Sequence, residues 1–246
     1  MKKKIKDIIF ENLKTIFYAL CIALFIRSFF FQPFYIPSSS MEPTLLVGDR
    51  IFVSKYSYGY SKHSLPFSPP ILKNRIFEKS PEYGDLVVFK TPSDNRTDYI
   101  KRLVGKPGDV IQFIDGNIYI NKQKIKKKII KNDYKIRCGN SNIDVNAYEE
   151  VLPNGKKLIA VYRKVGTMMN TDKYTVPYGN YFFLGDNRDC SRDSRYLSSV
   201  GYVKKSNLVG KANIIFFSND TISGSFLKFW NWKNSLRIER FFKILK

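Results

Sequence analysis

Residues 107–120 read Pro107-Gly108-Asp109-Val110-Ile111-Gln112-Phe113-Ile114-Asp115-Gly116-Asn117-Ile118-Tyr119-Ile120. Two runs rich in β-branched and aromatic residues flank Asp115-Gly116. A two-residue hairpin needs positive φ at both central positions, and Asp-Gly supplies it cheaply. Working outward, Leu86-Val87-Val88-Phe89 and Tyr181-Phe182-Phe183-Leu184 are continuous apolar runs of the kind buried on both faces of a sheet. Pro153-Asn154-Gly155 joins a second strand pair ending in Leu158-Ile159-Ala160-Val161-Tyr162. The expected fold is mostly β, antiparallel and irregular, spanning 32–246. Two stretches read as insertions. Residues 60–81 hold four prolines and several serines, a loop composition. Residues 122–164 open with a lysine run, take in the second strand pair, and suggest a peripheral subdomain.

The N-terminus reads differently. Met1-Lys2-Lys3-Lys4-Ile5-Lys6 precedes an uncharged run from Thr15 to Ile26, then Arg27-Ser28-Phe29-Phe30-Phe31. Helix from Thr15 to Phe31 would span about 26 Å of a bilayer core roughly 30 Å thick. A cleavable leader should end in small residues, whereas this run ends Phe31-Gln32-Pro33-Phe34-Tyr35. Basic residues precede the run, and none follows Arg27 until Arg50, as the positive-inside rule requires of a cytoplasmic N-terminus. Residues 1–12 are therefore expected inside, 13–31 as an uncleaved single-pass anchor, and 32–246 exported across the inner membrane.

Composition narrows the chemistry. The 246 residues carry 42 Lys+Arg against 21 Asp+Glu, a net +21, with one histidine and three cysteines. One His63 leaves no histidine-rich zinc site, and Cys21, Cys138 and Cys190 cannot build a four-cysteine one. The charge suits nucleic acid or an anionic membrane. The anchor's orientation turns the lysines away from cytoplasmic nucleic acid.

Three polar segments stand out. Ile36-Pro37-Ser38-Ser39-Ser40-Met41-Glu42-Pro43-Thr44-Leu45-Leu46-Val47-Gly48-Asp49 is a serine cluster beside the anchor. Asp98-Tyr99-Ile100-Lys101-Arg102-Leu103-Val104-Gly105-Lys106-Pro107-Gly108-Asp109 sets Lys101 in an apolar strand. Burial there would lower its pKa and make a neutral amine near pH 7. Beside a serine hydroxyl such an amine is a general base, and with histidine nearly absent Ser-Lys is the available dyad. Gly185-Asp186-Asn187-Arg188-Asp189-Cys190-Ser191-Arg192-Asp193-Ser194-Arg195 reads as a scaffold in which Asp pairs with Arg and a serine orients the lysine.

These blocks, with Arg50-Ile51-Phe52-Val53-Ser54-Lys55-Tyr56, occur in an order that resembles the bacterial type I signal peptidases. The resemblance implies a transmembrane helix followed by a β catalytic domain, and a serine endopeptidase that removes signal peptides from exported preproteins after small residues at −1 and −3. It implies Ser40 as nucleophile, Lys101 as base, and an oxyanion hole from the Ser38 hydroxyl and the Ser40 N–H. Ser191 would bond the lysine amine, with Asp193 and Arg195 bracing the site. Phe34, Ile36, Met41, Leu45, Ile51, Val88, Tyr99 and Ile100 would line the substrate pockets. It implies no cofactor or metal, and as partners preproteins and the bilayer. Ser39 stands where the family often has glycine. Cys190 either stays a free thiol or pairs with Cys138, and Cys21 belongs to the anchor. The C-terminal residues 226–246, with Trp230 and Trp232 among lysines, suit a packed helix and a membrane-interface segment equally. Ser225-Phe226-Leu227-Lys228 lacks the companion motifs of penicillin-recognising enzymes and is accidental.

Overall fold

A proline decides where the first element stops. In the computed structural model, which describes residues 2–66, 68–72, 74–139, 141–220 and 235–245, helix α1 runs Lys2–Phe29. The apolar stretch Lys6–Phe29 is 24 residues, long enough to cross a bilayer. The most apolar 18-residue window of that stretch has no buried residue, although Ser28 near its end is buried, so a helix this apolar fits a membrane span. The basic N-terminal residues belong to the same helix. Phe31, counted above with the helix, instead opens strand β1 (Phe31–Tyr35). Pro33 forces Gln32 into an extended conformation and cannot donate to a helical turn, so the chain changes geometry within two residues.

Strands β2 (Asp49–Ser54), β3 (Leu86–Lys90) and β4 (Asp98–Gly105) follow. Strand β5 (Val110–Ile114) turns through Asp115 and Gly116, both at positive φ, into β6 (Asn117–Ile120). The Asp-Gly signal thus forms the hairpin expected of it. After β7 (Gln123–Lys124) the chain builds two long strands, β8 (Lys126–Cys138) and β9 (Ser141–Val151), and then β10 (Lys157–Arg163). Short β11 (Tyr174–Thr175), β12 (Asn180–Leu184) and β13 (Val203–Lys204) lead to β14 (Leu208–Ser218) and β15 (Lys243–Ile244).

Among the described residues the pairings between these strands are antiparallel, with one isolated parallel bridge from Val161 to Asn187. The main sheet runs β1-β2-β14-β3-β4-β12-β13, with β15 added to β14; β11-β5-β6-β7 and β10-β9-β8 form two smaller sheets. Strand β3 explains why its sequence is apolar throughout. Val88 joins a core with Ile36, Met41, Leu45 and Ile51, while Val87 and Phe89 join another with Leu103 and Phe183. Alternate side chains point to opposite faces, and here both faces are covered.

The stretch 122–164 builds the separate β10-β9-β8 sheet, which is tied to the main body by specific hydrogen bonds. Val161 N–H donates to the Asp186 carbonyl at 2.9 Å, and Glu150 and Tyr162 grip Arg188 from the same sheet. The 60–81 stretch is largely irregular, with a 3-10 turn at Lys62–Ser64, and Arg75 pins it to carbonyls of Gly59 and Leu208. Of the C-terminal segment, residues 226–234 lie outside the described residues. Over 235–245 the chain returns to the main sheet, and residue 246 also lies outside the described residues.

That return is anchored electrostatically. Asp49 is wholly buried and accepts from Arg240 Nε at 3.0 Å, Arg240 Nη2 at 2.5 Å, Ser218 Oγ at 2.6 Å and Leu46 N–H at 2.8 Å. Arg240 also donates to the Thr44 carbonyl at 3.0 Å, tying the end of the chain to the loop after Ser40. Asp49→Ala would strand the Arg240 cation, and removing one partner of such a buried pair costs about 3–5 kcal/mol. Thermal unfolding in detergent should show a markedly lowered midpoint; an unchanged midpoint would contradict this role.

Candidate active site

Ser40 lies in the 3-10 turn Ser39–Met41, between the end of β1 and the start of β2. Lys101 lies in β4, paired in register with Val87. The fold brings the two together across 61 residues of sequence. Lys101 Nζ is 2.7 Å from Ser40 Oγ and 3.0 Å from the Ile100 carbonyl. The lysine is 3% exposed. Burial lowers its pKa from 10.5 to about 8, against the opposing pull of Asp193 and Asp186. The Tyr99 ring, 5.2 Å from Nζ, also favours the charged form. Desolvation outweighs the two carboxylates. These two carboxylates are close enough to matter, and each is already held by an arginine.

Those arginines build the support. Arg195 holds Asp193 through Nε at 2.8 Å and Nη2 at 2.8 Å, and Asp193 accepts the Gly185 N–H at 3.0 Å. Arg102, next to Lys101, grips Asp186 through Nε at 2.7 Å and Nη2 at 2.6 Å. Thr44 donates to the same carboxylate at 2.5 Å. One carboxylate therefore fixes the loop after Ser40 and the strand carrying Lys101. Asp186, Arg102 and Thr44 went unassigned in the sequence reading. Their signal was present: each lies inside a quoted block, next to or near an assigned residue.

Ser191 departs from expectation. Its hydroxyl is buried but makes no hydrogen bond to the Lys101 amine, and among the described residues it has no partner at hydrogen-bonding geometry. It lies near enough to help keep the Asp193 carboxylate charged. The amine instead spends its donors on Ser40 and its own strand's Ile100 carbonyl. Cys138 and Cys190 form a disulfide, which staples the end of β8 to the turn before Ser191. Cys21 is free and exposed on α1.

Beside the pair lies a groove of about 570 Å³. Of the eight residues expected along it, Phe34, Ile36, Met41, Ile51, Val88, Tyr99 and Ile100 line it. Leu45 does not. The Leu45 N–H bonds the Met41 carbonyl at 2.9 Å, and this turn points the side chain into the core beneath. Ile36, Ile51 and Val88 are almost fully buried and form an apolar floor. Ser38 and Ser40 lie along the same groove, their hydroxyls 3.3 Å apart. Strand β4 pairs with β3 over Asp98–Lys101 but meets β12 only from Arg102 onward. The first half of β4 thus presents a sheet edge to the groove, where an extended chain could add.

Gly185 is a further position that the sequence reading quoted without a role. A Cβ there would sit 2.2 Å from Ser191 Oγ and 2.5 Å from the Ser40 carbonyl oxygen. Glycine alone lets the strand end approach the serine turn this closely. Gly185→Ala should displace that turn and lower kcat on a peptide substrate by about a hundredfold or more, with the circular dichroism spectrum preserved. A variant with full activity would show that the close approach is not needed.

Residues 9–217 match the family described as signal peptidase, peptidase S26. The signal peptidase I of Rickettsia typhi is 44% identical over 245 residues, covering 93% of this chain and 90% of that protein. The corresponding Rickettsia prowazekii protein has the same identity and coverage. The crystal structure of a signal peptidase I from Enterococcus faecalis V583 is 28% identical, with a TM-score of 0.32, covering 54% of this chain and 97% of that one. On the extent of the family match and the identity to its Rickettsia relatives, the chain belongs to the peptidase S26 family of signal peptidases, serine hydrolases that cleave signal peptides from preproteins.

Proposed function

We propose that the chain works as a membrane-anchored endopeptidase through a Ser40–Lys101 dyad. The observation that carries this reading is the 2.7 Å contact between Lys101 Nζ and Ser40 Oγ in a buried setting. A neutral amine there takes the Ser40 proton as Oγ attacks the scissile carbonyl. The resulting oxyanion would be met by the Ser38 hydroxyl and the Ser40 N–H. As the tetrahedral intermediate collapses, the ammonium returns its proton to the leaving amine and an ester on Ser40 remains. Lys101, neutral again, then draws a proton from water as that water attacks the ester, and returns it to Ser40 Oγ as the new acid leaves. Bound peptide would exclude more water and lower the amine's pKa further.

Specificity follows from the groove. An extended peptide beside Asp98–Lys101 would turn alternate side chains toward the floor of Ile36, Ile51 and Val88. A shallow floor admits only small side chains, at −1 and −3. The substrates are signal-peptide-bearing preproteins, with no nucleic acid involved. Helix α1 anchors the enzyme in the inner membrane with its lysines in the cytoplasm and its β domain outside. The Cys138–Cys190 disulfide is consistent with an oxidising compartment.

Ser40→Ala and Lys101→Ala should each reduce preprotein processing by about a thousandfold or more, and the double variant should be hardly slower than either. Gel-shift processing assays on the full chain in detergent read this directly. Normal processing by either single variant would overturn the dyad.

A further inference from the structure

A second cavity, of about 290 Å³, opens where α1 meets the β domain. Its wall includes Arg27 from the last turn of the helix, with Lys55, His63, Lys90 and Arg96. One carboxylate faces it, Asp98, and Lys90 already holds that group at 2.8 Å. The remaining positive charge is concentrated, and part of it is deeply placed.

Lys55 is 2% exposed. Its ammonium donates to the carbonyls of His63 and Ser64, at 3.0 and 3.1 Å; among the described residues no carboxylate makes a salt bridge with it, and Asp98 acts on it only at longer range. A buried cation without a counter-charge is costly, and carbonyl dipoles offset only part of that cost. Burial first, and then the charge of Arg27, brings this amine down to about 8. His63 is 5% exposed, with Nδ1 3.0 Å from Ser68 Oγ and Nε2 buried without a partner. When the Ser68 hydroxyl donates to Nδ1, Nε2 carries the ring's proton and lacks an acceptor. The cavity therefore joins an ammonium with no salt-bridge partner, an unpartnered imidazole nitrogen and two further cations.

Its position is fixed to the helix. The Tyr60 hydroxyl donates to the Phe29 carbonyl and the Lys55 N–H to the Phe30 carbonyl, each at 2.9 Å. With α1 spanning a bilayer, its last turn lies at the depth of the lipid phosphates. We propose that this cavity binds a phosphate-bearing anion, and that its place at the foot of α1 favours a phospholipid headgroup as the source. This goes beyond the peptidase reading and uses none of its catalytic residues, although Phe34 and Asp98 line both this cavity and the groove; the choice of lipid rests on the anchor. Lys55 and His63 would supply the buried contacts, with Arg27 and Arg96 closing over the phosphate from the rim.

The test uses the full-length protein in detergent micelles, with phosphatidylglycerol and inorganic phosphate as separate probes. Native mass spectrometry reads lipid retention, and calorimetric titration reads phosphate. Wild type should retain phosphatidylglycerol, and Lys55→Gln and Arg27→Gln should each bind about tenfold more weakly. Arg27 is exposed, so that variant remains informative even where Lys55→Gln fails to fold. Phosphate binding with the same dependence on both residues, but no lipid retention, would support the anion site and assign it to free phosphate. Peptide cleavage measured in the same samples reports the Ser40 site separately, so a failed dyad would leave this result readable. Absence of binding by either probe, or binding that neither substitution weakens, would overturn the proposal.

Discussion

An amine can act as a base at neutral pH only where water is too scarce to solvate its charge. That requirement governs the region around Lys101. The residue sits inside a strand, between a core on one side and Ser40 on the other, and burial lowers its pKa to about 8. Two carboxylates nearby work in the opposite direction. Each is engaged by an arginine, Asp193 by Arg195 and Asp186 by Arg102, so their charge is largely spent before it reaches the amine. Exposed lysines elsewhere on this strongly basic chain have no comparable environment.

Keeping such a site dry and aligned takes contacts from much of the chain. Asp186 joins Thr44 to Arg102 and so couples the serine loop to the lysine strand. Arg188 reaches the Gly185 carbonyl at 3.1 Å and is held in turn by Glu150 and Tyr162 of the β8–β9–β10 sheet. The disulfide makes a second link from that sheet to the same turn. From the other side, Arg240 ties Asp49 and the Thr44 carbonyl to the end of the chain. Each buried pair would be costly if broken, and together they leave the Ser40 turn little freedom.

Much of this was legible from residue patterns. Asp115-Gly116 specified its hairpin because few other pairs tolerate two positive φ values. The apolar run 86–89 signalled a strand covered on both faces. Residue types favoured a Ser-Lys dyad, but the choice of Ser40 and Lys101 rested on the resemblance of the motif blocks to the signal peptidases. Other features depended on three-dimensional detail. Leu45 follows a tight turn that sends it inward, which apolarity alone does not reveal. Ser191 lies close to the site, yet the amine's donors point to Ser40 and Ile100 instead. The Asp186–Arg102 pair spans 84 residues, and no local spacing announces it. Phe31 is apolar enough for the anchor, but Pro33 had already fixed the backbone.

The central claim is that Lys101 is poised to lose its proton near neutral pH. Its side chain can be followed directly by nitrogen NMR of the lysine-labelled, full-length protein in micelles, with Lys101→Met identifying the resonance. The account predicts an amine that titrates near 8. An amine that stays protonated to above about 10, like a lysine in water, would contradict it.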